Sequence, residues 1–156
     1  MRRALTPLAT EQRMSGRYLG VDLGTKRIGL ALSEPEGGIV SPLKVIEARP
    51  GAAANAQAIL EVAETYDVGG IVIGLPLNMD GTEGPQAKLS RRLADAIRKA
   101  DGPTVHLHDE RLTSHAADEL LVERELTRKK KRARHDAVAA QILLQSFLES
   151  PGSQDA

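Results

Sequence analysis

This chain has no cysteine, and aromatic residues make up only 2% of its 156 residues. Without cysteine it can form no disulfide framework, no thiolate nucleophile and no cysteine-bound zinc site. Few aromatic rings argue against recognition of single-stranded nucleic acid by base stacking, which needs several exposed rings. Composition alone therefore excludes disulfide, thiolate and cysteine-bound zinc chemistry, and it disfavours recognition by base stacking.

Long apolar runs and an export signal are also missing. No stretch approaches the roughly 20 apolar residues of a membrane helix, and residues 1–16 lack the hydrophobic core of a signal peptide. We therefore expect a cytoplasmic protein. The net charge is zero, with 21 basic and 21 acidic residues, so affinity for nucleic acid has to come from local clusters of charge.

Hydrophobic periodicity and turn residues divide the chain into short segments. Strands are predicted at residues 18–22, 27–33, 38–46, 70–74 and 104–108. Helices are predicted at residues 51–66, 86–100, 114–124 and 135–149. The apolar run at 70–74 is continuous, which is typical of a parallel strand covered on both faces.

The order of these segments predicts an α/β fold. Three strands in quick succession favour an antiparallel meander, and the later alternation of strands with helices favours parallel pairing. We predict one ribonuclease H-like domain at residues 17–149, with a mixed five-stranded sheet of order 3-2-1-4-5 and helices on both faces. Residues 1–16 and 150–156 are expected to be flexible extensions.

Asp22 ends the first apolar strand, where a carboxylate is costly unless something cationic binds it. Alternation along the strand places Gly20 and Gly24 on the same face as Asp22. Gly74, at the end of the neighbouring fourth strand, leaves further space for ions and a phosphate. Asp22 is therefore a candidate metal ligand. The alternative is that it caps the tight turn at residues 24–27.

Glu110 follows the fifth strand and is the second candidate. Because the fourth strand separates it from Asp22, it can share a metal with Asp22 only if the chain turns back over the end of the sheet. Alternation also places His106, His108 and Glu110 on one strand face, which is acceptable geometry for a transition metal. A third interpretation is that these polar groups simply face water.

Asp136 is the third candidate, near the start of the last predicted helix. Counted along that helix, it shares the apolar stripe formed by Ala139, Ala140, Leu143 and Phe147, which should face the sheet. We therefore expect its carboxylate to point inward. The alternative is a first-turn aspartate favoured by the helix dipole, an effect of about 0.3–1 kcal/mol.

A dense basic run directly precedes Asp136. Because like charges repel, we expect residues 128–134 to form a loop that settles when phosphates neutralise it; a solvated loop without a ligand is the alternative. The predicted phosphate contacts are Lys26, Arg27, Arg111, Arg128, Lys129, Lys130, Lys131, Arg132 and Arg134.

Four motifs, in this order, resemble the YqgF (RuvX) family of ribonuclease H-like bacterial proteins. They are VDLGTKRIG at 21–29, GLPLN at 74–78, DERLT at 109–113 and DAVAA at 136–140. The resemblance spans residues 18–148. It implies a Mg²⁺-dependent nuclease that processes the 5′ end of precursor 16S ribosomal RNA in ribosome biogenesis, a family also described as Holliday junction resolvases acting on DNA. It implies catalytic and metal-binding roles for Asp22, Glu110 and Asp136.

Together these features predict two-metal phosphodiester hydrolysis. Asp22 would bridge two Mg²⁺ or Mn²⁺ ions, and Glu110 and Asp136 would each hold one of them. One ion would activate the attacking water and the other would stabilise the leaving 3′ oxygen, so the product carries a 5′ phosphate.

Other functions stay open at this point. Residues 22–25 with Gly29 also resemble the phosphate-binding hairpin of actin-like and heat-shock-protein ATPases, although those proteins close nucleotide between two such domains. An RNA-binding ribosome-assembly factor without turnover is a further alternative. The sequence does not decide between precursor RNA, ribosomal particles and branched DNA as partners, nor between a monomer and a homodimer.

Overall fold

The computed structural model describes residues 16–35, 38–112 and 128–150. Its strands are β1 (Arg17–Leu23), β2 (Arg27–Ser33), β3 (Val40–Glu47), β4 (Val68–Leu75) and β5 (Thr104–Asp109). Its α-helices are α1 (Ala52–Thr65), α2 (Pro85–Lys99) and α3 (Arg128–Glu149), and one 3₁₀ turn covers Glu110–Leu112. The helix predicted at 114–124, residues 1–15 and residues 151–156 lie outside the described residues.

The five strands form one sheet in the order β3-β2-β1-β4-β5. β2 runs antiparallel to both of its neighbours, whereas β4 runs parallel to β1 and to β5. This arrangement confirms the predicted α/β fold and the strand order 3-2-1-4-5. The carboxyl ends of β1, β4 and β5 consequently meet at one edge of the sheet, which is where open α/β sheets bind their ligands.

Helices cover both faces of the sheet, and strand alternation decides which residues face which helix. α1 and α2 pack over the face that carries Leu19 and Val21. α3 packs on the other face, where a Cβ atom on Gly20 would collide with Leu144. Asp22 follows Gly20 by two residues and therefore lies on the α3 face. In the described ranges 16–35, 38–112 and 128–150, no helix combines the length and apolarity needed to cross a membrane.

The last helix differs from the prediction. Residues 128–134 were expected to form a loop, but α3 begins at Arg128, so these residues form about two turns at its start. Lysine and arginine are good helix formers. Burial of Val138, Leu143 and Phe147 fixes the rest of the helix on the sheet. The anchored helix extends through the basic run because helix propensity and tertiary packing outweigh the local charge repulsion.

Candidate active site

Asp22 lies next to the end of β1, at the carboxyl edge of the sheet. It pairs directly with Gly29 of β2, and its side chain is half-buried. The hairpin that follows is closed by a backbone hydrogen bond, 2.9 Å long, in which the N–H of Gly24 donates to the carbonyl oxygen of Arg27. The tight hairpin fixes the position of Asp22 relative to the start of β2.

Glu110 reaches Asp22 by crossing over β4. The chain leaves β5 at Asp109 and enters the 3₁₀ turn, which takes Glu110 out of the strand alternation and back over the end of the sheet. The carboxylate of Glu110 lies where a Cβ atom would stand on Gly74, so any side chain at residue 74 would collide with it. The space that glycine leaves on β4 is thus filled by the second acid.

The carboxyl groups of Glu110 and Asp22 form a hydrogen-bonded pair. Burial raises the pKa of Glu110 to about 8, and the negative charge and hydrogen bond of Asp22 add to this shift. At neutral pH Glu110 is therefore mostly protonated and shares its proton with Asp22, because two adjacent carboxylates do not readily ionise together. A divalent cation can replace that proton, since it neutralises both charges and accepts carboxylate oxygens as ligands.

Asp136 lies on the same face as Asp22, at the point where α3 crosses β2. Its backbone carbonyl occupies the place of a Cβ atom on Gly29, the residue paired with Asp22. Its carboxylate oxygen Oδ2 accepts a hydrogen bond of 2.6 Å from Nε of Arg27. Arg27, predicted as a phosphate contact, therefore forms an ion pair with the third acid, a contact that the sequence analysis missed.

The structure brings two of the three predicted ligands into direct contact and places the third beside them. Within residues 16–35, 38–112 and 128–150, no three acidic or histidine side chains are gathered closely enough to hold a metal ion jointly. Asp22 and Glu110 interact with each other, and Asp136 is held by Arg27. The carboxylate chemistry suits a hard divalent cation, although Asp136 has to approach the pair to complete a shared site.

The transition-metal interpretation of His106, His108 and Glu110 is wrong. The ring of His106 packs against Phe147 of α3 with centroids 4.9 Å apart, and Nε2 of His108 lies 2.9 Å from Oγ of Ser146. Burial lowers the pKa of both histidines. Both rings thus belong to the packing between β5 and the C-terminal part of α3, while the 3₁₀ turn carries Glu110 away from them.

Arg111, predicted to contact phosphate, forms structural contacts with its neighbours. Its Nε and Nη2 donate to the carboxylate of Asp109 at 2.7–3.1 Å, and these hydrogen bonds hold the pKa of Asp109 below its ordinary value. Its Nη1 donates to the backbone carbonyl of Met79 at 3.3 Å. Arg111 therefore ties the loop between β4 and α2 to the end of β5. The turn residues Asn78, Asp80 and Gly81 predict a loop here, but they do not predict its contact with Arg111.

Of the remaining predicted phosphate contacts, Lys26 belongs to the β1–β2 hairpin and the others belong to the first two turns of α3. Lys26 is exposed at the tip of the β1–β2 hairpin. The backbone of residues 128–134 continues α3 for about 12 Å beyond Asp136, away from the part of the helix that packs on the sheet. The sequence thus supplies positive charge at the hairpin tip and along the first turns of α3.

Comparisons with known proteins identify the family of this chain. A family model described as "RuvX: Holliday junction resolvase" matches residues 16–150. A "Putative pre-16S rRNA nuclease" of Pelotomaculum thermopropionicum is 43% identical over 136 residues, which cover 87% of this chain and 88% of that protein. A protein of the same name from Myxococcus xanthus is 42% identical over 134 residues, covering 86% and 88% respectively.

A solved structure resembles the fold. RuvC from Thermus thermophilus superposes with a TM-score of 0.55, at 17% identity, over 85% of this chain and 93% of that chain. At this level of identity the likeness concerns the fold, which is of the ribonuclease H-like type in both.

Proposed function

This chain belongs to the RuvX family of nucleases, and from that premise we propose that it hydrolyses phosphodiester bonds of precursor 16S ribosomal RNA with divalent cations held by Asp22, Glu110 and Asp136. The family match over residues 16–150 and the relatives at 42–43% identity support the nuclease activity. The RNA substrate follows the name of those relatives. The observation that carries the metal dependence is the buried Glu110 carboxyl, which Gly74 lets approach Asp22.

The protein's own residues perform most of the positioning. Asp22 and Glu110 would hold a Mg²⁺ or Mn²⁺ ion from the sheet, and Asp136 would complete the ligand set from α3. A carboxylate has two oxygens, so Asp136 can keep Arg27 on Oδ2 while Oδ1 serves as a ligand. When bound, such ions supply an activated water and neutralise charge that develops on the phosphate. Arg27 would then act by orienting a ligand, as second partners of metal ligands commonly do.

The nucleic acid would cross the carboxyl edge of the sheet. Lys26 lies at the tip of the β1–β2 hairpin, and the basic segment 128–134 directly precedes Asp136 on α3. Contacts of this type bind the sugar-phosphate backbone without reading bases, and they suit a chain whose net charge is zero but whose cations are clustered.

A second candidate function is the resolution of branched DNA, which the description of the matching family model favours. The hydrolytic chemistry would be the same. Paired symmetric cuts in a four-way junction would additionally require two active sites related by a two-fold axis, whereas trimming of an RNA end would not.

Cleavage of two labelled substrates by the purified protein tests these functions. A precursor 16S RNA fragment and a four-way DNA junction would be incubated with Mg²⁺ or with a chelator, and Asp22→Asn protein prepared identically would be the control. We expect Mg²⁺-dependent RNA products bearing a 5′ phosphate. Cleavage of the junction alone would favour the resolvase, and tight RNA binding without cleavage would favour an assembly factor.

A further inference from the structure

The β4–α2 loop, residues 76–84, presents an exposed apolar side chain at the active-site edge. Met79 is 92% exposed, the highest value among the large hydrophobic residues in the part of the chain that the structure describes. A single exposed apolar residue usually needs no explanation. This one is notable because of where it lies and how firmly its backbone is held.

Hydrogen bonds within the loop fix its shape. Leu77 and Glu83 form an isolated β-bridge, and the N–H of Asn78 donates to the carbonyl of Thr82 at 2.8 Å. Oδ1 of Asp80 accepts from both the N–H and the hydroxyl of Thr82, at 3.0 and 2.7 Å. The tip is therefore a closed turn, and Met79 is exposed although its backbone is ordered.

Arg111 connects this turn to the catalytic acids. It donates to the carbonyl of Met79 at 3.3 Å while Asp109 holds its guanidinium through several hydrogen bonds. Arg111 directly follows Glu110 in the 3₁₀ turn. The guanidinium of Arg111 and the 3₁₀ turn therefore hold the backbone of Met79 in a fixed position relative to the Asp22–Glu110 pair.

None of the tyrosine or phenylalanine side chains, all of which lie in the described ranges, is placed to contact a base at this edge. The chain has two tyrosines and one phenylalanine. Tyr18 packs against Phe147 with ring centroids 5.8 Å apart, and Tyr66 packs against the core beneath α1. Among the described residues, an apolar contact with a nucleobase near the acids would therefore come from an aliphatic or thioether side chain rather than from tyrosine or phenylalanine.

We propose that Met79 packs against an unstacked base of the nucleic acid next to the scissile phosphate. The proposal rests on the nuclease function above and assigns the loop a part in choosing the cleavage site. A thioether is polarisable and makes favourable contacts with aromatic rings, and methionine is among the apolar residues that proteins insert between base steps. The enzyme would then favour cleavage where a base is unpaired or easily opened.

A single tryptophan can report this contact, since the chain contains none. Met79→Trp would be made in the Asp22→Asn protein, so that RNA binds without being cut. Ile39→Trp is the matched control, because Ile39 is also exposed, at 66%, but precedes β3 at the opposite edge of the sheet. The ligands are an RNA hairpin with an unpaired loop and a fully paired duplex of equal length.

We expect the hairpin to quench the tryptophan at residue 79 at least twofold, the duplex to quench it less, and neither to affect the tryptophan at residue 39. Fluorescence anisotropy of labelled RNA would record binding in the same samples. Binding of the hairpin without quenching at residue 79 overturns the base contact but leaves the nuclease assignment intact. Failure of any RNA to bind overturns both the base contact and RNA as the substrate.

A substitution cycle between protein and RNA locates the base. In the Asp22→Asn protein, Met79→Ala should weaken RNA binding about 2- to 12-fold, whereas Met79→Leu should lose less. Abasic nucleotides would then be introduced one at a time around the cleavage site. At one abasic position, the proteins with methionine and with alanine at residue 79 should bind the RNA with equal affinity. Equal loss at every position, or no loss on the intact RNA, would contradict the proposal.

Discussion

At the scale of single residues, the site depends on a glycine, because Gly74 has no side chain to block Glu110. Gly74 leaves the space in which the Glu110 carboxylate lies, and a Cβ atom there would stand on the carboxylate oxygen Oε2. Because β4 separates β5 from β1, no direct neighbour on the sheet could bring Glu110 to Asp22. One glycine and one 3₁₀ turn therefore produce a contact that strand order alone does not provide.

Replacing Gly74 by alanine should inactivate the enzyme while leaving it folded. The methyl group would displace Glu110, and a shift of about 1 Å at a catalytic group can cost on the order of 10²-fold in rate. Cleavage rates and thermal unfolding would be measured side by side. Gly38→Ala is the control, because a Cβ atom there meets nothing within 4 Å. Wild-type cleavage by the Gly74→Ala protein would remove Glu110 from the mechanism.

The raised pKa of Glu110 predicts how stability depends on pH in the presence of a chelator. Folding raises this pKa from its ordinary value of 4.5 to about 8. The group's contribution to stability is therefore complete below about pH 4.5 and is lost as the pH rises through 8, since the folded state then has to bury a second charge. The loss should be on the order of a few kcal/mol.

Glu110→Gln removes this titration. Urea unfolding at several pH values should show the variant gaining stability relative to the unmodified protein between pH 5 and pH 9. Subtracting the two curves cancels the titration of groups that do not contact Glu110, so the difference reports the Asp22–Glu110 pair. A difference that stays constant across this range would mean that Glu110 ionises normally in the folded protein.

Arg27 should affect metal binding indirectly, by orienting the carboxylate of Asp136. Its Nε donates to Oδ2 of Asp136 at 2.6 Å. Loss of such a second partner typically weakens metal binding 10- to 100-fold, so Arg27→Ala should raise the Mg²⁺ concentration for half-maximal cleavage about 10-fold. Arg98→Ala removes an ion pair on α2 and should leave the Mg²⁺ requirement unchanged.

The same pair also provides a test of coupling. In an Asp136→Asn background, removal of Arg27 should cause little further loss, because the two residues would act as one unit. If the two losses were additive, Arg27 would act elsewhere, for instance on phosphate directly.

At the scale of secondary structure, the sequence correctly predicted the elements that depend on local patterns of apolar and turn residues. The apolar run at residues 70–74 and the turn residues at 24–26 led to β4 and to the β1–β2 hairpin, with bounds within two residues. The basic run was predicted wrongly, because repulsion was weighed without the packing that anchors α3. The Arg27–Asp136 ion pair joins residues 109 positions apart, and no local pattern predicts such a contact.

The helical start of α3 changes the design of a charge-removal experiment. Replacing Lys129, Lys130 and Lys131 by alanine should preserve the helix, since alanine is the best helix former. If these lysines contact phosphates, RNA binding should weaken, and the slope of log affinity against log salt should fall by about 2, at roughly 0.7 per phosphate contact for single strands. An unchanged slope would mean that this segment is not part of the binding surface.

At the scale of the whole molecule, topology accounts for the location of the site. Because β1, β4 and β5 are parallel, their carboxyl ends bring Asp22, Gly74 and Asp109 to one edge. α3 begins at the same edge, which places Asp136 over β2. Strand order was predictable from the succession of segments. The degree to which the acids converge was not, because it depends on contacts between elements far apart in the chain.

The central claim is that Asp22, Glu110 and Asp136 act together on bound divalent cations. Mg²⁺-dependent cleavage of labelled precursor RNA by Asp22→Asn, Glu110→Gln and Asp136→Asn, alone and in pairs, tests it most directly. Each single variant should lose most of the activity and remain folded. The cleavage rate of each double variant should be about equal to that of its less active single variant, because a shared metal site fails as a unit. Full activity in any one of the three variants would contradict the account.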